Sequence, residues 1–175
     1  MNKKIDKLVE QMKHEERSRE MMRIMLKETD GLMWVKDAEG RYLYANSRLA
    51  EELYHTVPES MEGCTDEEML ADFKQKTSME QSFAPLCALT DKFTMEKGHG
   101  CIFLEVGHVG QKEKSLYVIK TPVKGTDGNV IATVGVALNG LRVKDIKVLI
   151  EARKKEGAPA EQLEGDYYYL GKVIE

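Results

Sequence analysis

A chain of 175 residues, 42% apolar and 32% charged, has room for one domain of about 100–150 residues with extensions, not for two joined by a linker. Acidic residues outnumber basic ones by 30 to 26, so the formal charge is −4. That balance lacks the basic footprint of a nucleic-acid binder, and nucleic acid is set aside as a partner.

The N-terminus carries too many charges for a signal peptide, and no apolar run reaches the ~18 residues of a membrane span. Cys64, Cys87 and Cys101 are an odd number at wide spacing, which gives neither a disulfide framework nor a CxxC motif. The chain therefore reads as cytoplasmic, with reduced thiols. From Asn2 to Glu28, Ile5, Leu8, Met12, Met22 and Leu26 form a narrow heptad-like seam interrupted by Glu15 and Arg19. Such a stripe buries little against a globular core. Residues 1–28 thus predict an amphipathic coiled-coil helix and a homodimer through it, the alternative being a solvated helix lying on its own domain.

Two short apolar runs, Leu32 to Lys36 and Tyr42 to Ala45, flank Asp37-Ala38-Glu39-Gly40, where aspartate nucleates a turn and glycine accepts a positive φ, so a β-hairpin is expected. Asn46 is placed to cap a helix over Ser47 to Tyr54, with Leu49, Ala50 and Leu53 on one face. Thr65 and Glu68 have capping-box spacing before a short helix. A longer helix is predicted from about Ser78 to Lys97, with Phe83, Leu86, Cys87, Leu89 and Phe93 near one face and Pro85 in its first turn; Gly98-His99-Gly100 ends it.

Cys101 to Val109, Leu116 to Val123 and Val130 to Leu138 are rich in β-branched and aromatic residues and are separated by turn chemistry, which predicts a three-stranded meander. An outgoing helix is expected over residues 142–157, with Val143, Ile146, Leu149 and Ile150 on one side. The tail, residues 158–175, is strand-like in DYYYLGKVIE and either docks on the domain edge or begins a further segment.

This order of elements, with the segments WVKDAEGRYLYAN, GCTDEEML and YVIKTPVKGTDGNVIATVGVAL, resembles a PAS domain over about residues 29–141. The resemblance implies an α+β fold: a five-stranded antiparallel sheet with helices on one face, flanked by N- and C-terminal amphipathic helices. It makes Asp37 and Gly40 the hairpin-turn residues and Asn46 the cap into the helical side. One departure is Asn139-Gly140-Leu141, which stands where the family commonly has a D-I-T type signature; a glycine there loosens the joint to the outgoing helix.

The resemblance also implies a cavity between the sheet and the long helix that holds haem, flavin, a metabolite or nothing. Cys64 lacks the N-C-R-F-L-Q context of photochemical flavin adducts. Haem needs an axial imidazole or thiolate; Cys87 is the one candidate on the long helix, and a cysteine there is more readily a small core hydrophobe. His99 and Cys101 are an ambiguous metal pair, and His14-Glu15 is similar to a kinase phosphoacceptor without its nucleotide-binding partner. No nucleophile, paired base or phosphate loop stands out, so no enzyme is expected and the cofactor is left open.

The expected function is sensory or regulatory, in a signalling protein of the histidine-kinase (two-component), cyclic-di-GMP or chemoreceptor type. A small-molecule ligand would be held by Phe83, Cys87, Phe103, Tyr117 and Ile119, and occupancy or dimer packing would pass through the flanking helices. The alternative is an interaction or dimerisation module with no ligand, its ten methionines filling the core.

Overall fold

The computed structural model describes residues 16, 17, 20, 30–139, 148, 150–152, 154–157, 161–164 and 167–173. The chain divides into two compact units, Met1–Asp30 and Gly31–Glu175. In the first, Glu16, Arg17 and Glu20 are helical and exposed; the seam of Ile5, Leu8, Met12, Met22 and Leu26 lies outside the described residues, as does the joint at Gly140.

The second unit starts with β1 (Leu32–Asp37) and β2 (Tyr42–Ala45), joined by the expected tight turn. Asp37 Oδ1 accepts from the backbone N–H groups of Glu39 and Arg41 at 3.0 and 2.8 Å, and Gly40 sits at φ 81°. Asn46 caps α1 (Ser47–Tyr54) by accepting from the Leu49 amide. The same oxygen accepts from Met33 N and its amide donates to Gly31 O, so one buried side chain ties the helix start to β1.

A 3₁₀ turn over Pro58–Ser60 leads to α2 (Asp66–Thr77), whose start is a complete capping box. Glu68 Oε2 accepts from Thr65 N at 2.8 Å while Thr65 Oγ1 accepts from Glu68 N at 3.3 Å. Thr65→Ala is expected to cost about 1 kcal/mol, read as a shift in the urea midpoint at unchanged slope.

The long helix, α3 (Ala84–Lys97), starts later than the residue pattern suggests. Ser78 lies at φ 56° as the left-handed end of α2, and the non-helical residues that follow pass beside the later strand Cys101–Val109, where Gln81 bridges Val109. Pro85 then fits the first turn, and Gln81 Oε1 accepts from Ala84 N at 2.8 Å in place of a capping residue.

β3 (Cys101–Val109), β4 (Lys112–Lys124) and β5 (Val130–Asn139) form the meander. Among the described residues the sheet has seven strands rather than five, in the order β2-β1-β5-β4-β3-β7-β6. The tail supplies the added pair, β6 (Glu161–Glu164) and β7 (Tyr167–Lys172), and β7 pairs antiparallel with the outer edge of β3. The physical reason is that β3 otherwise ends the sheet with unpaired backbone groups, and the aromatic run Tyr167-Tyr168-Tyr169 suits a strand.

The three helices cover one face of the sheet, and the main core lies between them and it, from Leu32, Trp34 and Leu49 through Phe73 and Phe83 to Phe103, Val118, Tyr167 and Tyr169. A smaller cluster of Leu104, Ile150 and Leu170 lies apart from it, with Ile102, Val106, Tyr117 and Tyr168 packed around it. Ile150 belongs to the described helical residues of the outgoing segment.

Candidate functional site

Side chains alternate across a strand, so Lys36 shares its face of β1 with Leu32 and Trp34, Lys120 its face of β4 with Leu116 and Val118, and Glu105 its face of β3 with Cys101 and Phe103. All three charges therefore point under the helices; Lys36 is 1%, Lys120 0% and Glu105 1% exposed. Burying a charge is costly unless it is paired. The helices supply the partners, Asp66 from the first turn of α2 and Asp91 from the middle of α3, both buried.

Lys36 Nζ pairs with Asp66 Oδ2 and, at 2.8 Å, with Asp91 Oδ2. Lys120 Nζ meets Asp91 Oδ1 at 2.7 Å and donates to the Cys87 carbonyl at 3.0 Å. Tyr42 and Tyr54 donate their hydroxyls to Asp66 Oδ1 at 2.7 and 3.0 Å. Asp91 thus bridges two lysines and Lys36 bridges two aspartates, so the sheet is clamped to α2 and α3 by one chain of charges.

Burial by itself pulls the Lys36 ammonium down, but Asp66 and Asp91 outweigh it and hold its pKa well above the usual lysine value. The same opposition, with Asp91 and then Glu105 as partners, raises Lys120. Burial pushes Asp91 up, yet Lys120 and Lys36 carry it below the ordinary carboxylate value. Among the described residues Glu105 has no direct ion pair; it accepts from Thr90 Oγ1 at 3.1 Å and from the Cys87 thiol at 4.0 Å, and burial lifts its pKa to about 7 against the pull of Lys120.

Trp34 lies flat across Gly135 of β5 with Lys120 Nζ 5.4 Å from its ring centre. The Trp34 Nε1–H and the Thr133 hydroxyl are buried without a hydrogen-bond partner, two polar atoms on neighbouring strands of the same inner face. Beside the charge chain lies a groove of about 980 Å³, between the β1–β2 turn at Ala38–Gly40, the start of α2 and one side of α3. Its lining mixes apolar Leu70, Ala84, Ala88 and Met95 with acidic residues, and it includes Asp66 and Asp91. The carboxylates that hold Lys36 therefore also border the groove.

Of the residues expected to line a pocket, Phe83, Cys87 and Phe103 do face the interior. Phe83 packs on Tyr167 and Phe103 on Phe93 and Tyr169, so their rings are part of a filled aromatic core. Tyr117 and Ile119 are a correction: they alternate with Leu116, Val118 and Lys120, which take the inner face, and Tyr117 packs instead with the Leu104, Ile150 and Leu170 cluster. The strand parity is off by one residue. None of the five borders the groove.

Residue reasoning missed Lys36, Asp66, Asp91, Glu105 and Lys120. The signal that could have found them is their in-phase spacing with buried apolar neighbours. Burial and the nearby Glu105 push the Cys87 thiol well up, away from the thiolate a haem iron would take. Among the described residues no group of three His, Cys, Asp or Glu is arranged to hold a metal, and no helix is long and apolar enough to cross a membrane.

The sequence of residues 26–139 matches the family model described as PAS fold. The chain belongs to the PAS family. No curated protein matches it in sequence. Among solved structures, the PAS domain here is similar to the Vibrio cholerae VqmA dimer, described as a LuxR-type receptor, at 23% identity and TM-score 0.54, over 69% of this chain and 51% of that one. VqmA bound to DPO is similar at 22% identity and TM-score 0.56, over 76% and 64%. A Vibrio cholerae VqmA–ligand–DNA complex is similar at 20% identity and TM-score 0.54, over 83% and 61%. The chain spans less than two thirds of each of these proteins.

The last of these overturns the exclusion of nucleic acid as a partner: a protein with a similar PAS fold was crystallised on DNA. The reason is physical. A charge of −4 describes the surface of this PAS chain and carries no information about a basic module joined to such a domain.

Proposed function

We propose that this chain is a non-catalytic sensory PAS domain of a signalling protein, and that it takes a small polar organic molecule in the groove between the β1–β2 turn, α2 and α3. The observation that carries this reading is that Asp66 and Asp91 border the groove and are the two residues through which α2 and α3 grip Lys36. A molecule competing for either carboxylate changes how tightly both helices sit on the sheet. The unpartnered Trp34 and Thr133 donors deeper on that face are further polar capacity that a ligand with acceptor atoms satisfies. The DPO-bound VqmA structure supports a ligand-receiving role for this fold.

The output is a property of the segments attached to the domain: a histidine kinase, a cyclic-di-GMP enzyme, a chemoreceptor or a DNA-binding receptor of the VqmA kind. A shift in occupancy of a few kcal/mol is enough to drive any of them. One observation favours the competing reading of an interaction module without ligand: Phe83, Phe103, Lys36 and Lys120 all occupy the interior as fully buried side chains.

Native mass spectrometry of the purified chain, followed by thermal shift against a library of small polar metabolites, separates the two. A retained or stabilising molecule that Ala88→Trp, which plugs the groove, no longer binds supports the sensor. A protein that carries nothing and responds to nothing in the library leaves the module.

A further inference from the structure

The charge chain balances without Glu105: Lys36 and Lys120 offset Asp66 and Asp91. An ionised Glu105 would leave the interior with one uncompensated negative charge. Glu105 Oε2 accepts from the Cys87 thiol at 4.0 Å, a long sulfur contact, while its nearer neighbour, Thr90, has a single hydroxyl proton but lies within bonding distance of three acceptors, Leu86 O at 3.2 Å, Cys87 O at 3.1 Å and Glu105 Oε1 at 3.1 Å. A protonated Glu105 resolves that conflict, donating to Thr90 while Thr90 donates to a helix carbonyl.

The titratable and charged groups that act on Glu105 come from four elements around it: Lys36 from β1, Cys87 and Asp91 from α3, Lys120 from β4 and Tyr167 from β7. Tyr167 is its direct cross-strand partner and is itself buried, with a hydroxyl that finds no hydrogen bond. Of these elements the β6–β7 hairpin is the least secured. It forms the sheet edge, its ladders to β3 and within itself both carry a register break, and β6 pairs only with β7. Peeling it away hydrates Glu105 from one side and leaves β1, β5, β4 and β3 paired.

We propose that Glu105 is a proton-sensing site and the β6–β7 hairpin its output: the hairpin is held on β3 while the carboxyl is protonated, and ionisation loosens it. The inference does not use the groove and stands whether or not a ligand binds there. Its sign follows from linkage. The docked state holds the Glu105 proton to about pH 7, whereas a hydrated carboxyl releases it near 4.5. Docking is therefore tightest below pH 4.5, weakens as pH rises between these values and stays at its weakest above about 7, with a ceiling of about 300-fold in the docking equilibrium.

The test is hydrogen exchange of the intact chain at pH 5.5 and pH 8.0, with rates corrected for intrinsic exchange at each pH. Protection of residues 167–172 is expected to be tenfold or more higher at the lower pH, while residues 130–139 of β5 hold constant. Glu105→Gln, which cannot ionise, is expected to keep the higher protection at both. Equal hairpin protection of the wild type at the two pH values, or an unchanged pH dependence in Glu105→Gln, overturns the proposal. Should that variant not fold, a carboxyl-labelled glutamate titration of the wild-type chain by NMR decides: one glutamate with a near-neutral midpoint supports it, and a full set titrating near the ordinary value ends it.

Discussion

Lys36→Met is expected to destabilise the domain by about 3–5 kcal/mol, the usual consequence of removing one partner from a buried ion pair. Methionine matches the lysine stem in shape, so the loss is electrostatic rather than a cavity. Asp66 would be left with two tyrosine hydroxyls and Asp91 with Lys120 alone, each in an interior that solvates a lone carboxylate poorly. Urea unfolding at pH 7 measures the loss. Adding Asp66→Asn to the same chain removes the stranded charge and is expected to recover much of the deficit, and a double-mutant cycle isolates that coupling.

The pH dependence should report the same pair. Asp91 has its pKa depressed in the folded protein, so its contribution is present above the ordinary carboxylate value of 3.8 and is lost as pH falls through the lowered one. The wild type should therefore weaken in acid. Lys36→Met should weaken less steeply, because part of what acid removes is already gone. A loss below about 1 kcal/mol would mean that water reaches these carboxylates through the groove and screens them as it does surface pairs.

The second large effect is expected at Gly135. A Cβ on this residue would stand 2.1 Å from Trp34 Cε2 and 2.2 Å from Cζ2, rigid ring atoms that cannot yield by bending. Gly135→Ala must therefore rotate the indole off β5 or push the strands apart, and overpacking of this kind costs about 1–3 kcal/mol and at times more. Trp34 also lies beside Lys120, so its displacement disturbs the charge chain and places the variant at the upper end of that range.

Because Trp34 is the single tryptophan in the chain, its emission reports the displacement directly. A red shift with a lower urea midpoint is the expected pair of results. An unchanged spectrum with stability intact would show that the indole has another low-energy position over the sheet.

Much of the fold could be read locally. The hairpin turn at Asp37 and Gly40, the Asn46 cap, the capping box at Thr65 and the meander strands all rest on interactions between residues close in the chain, and each appears where its residues place it. The long helix starts later than its residue pattern suggests because residues 80–82 pair with the end of β3 and the turn after it, as in Ser82 N to His108 O at 3.1 Å, and that partner is distant in sequence.

The site was less legible for the same reason. Lys36, Glu105 and Lys120 each sit in phase with buried apolar residues, and period-two alternation alone would send them inward. A charge in such a position is tolerable only if an opposite charge arrives from elsewhere, and Asp66 and Asp91 arrive on helices 30 and 55 residues away from Lys36. The parity of Tyr117 and Ile119 failed similarly, since both faces of β4 are partly covered, one by the main core and the other by the cluster around Ile150.

The residues alone therefore determined the turns, the caps, the strand and helix types and the PAS order of elements, because those depend on backbone conformation and neighbours within a few positions. Tertiary structure decided which charges are buried, that the tail closes the edge of β3, and that the groove borders the aspartates gripping Lys36. These depend on pairing free energies between distant segments, and burial turns the same side chain from a solvated surface group into the clamp of the core.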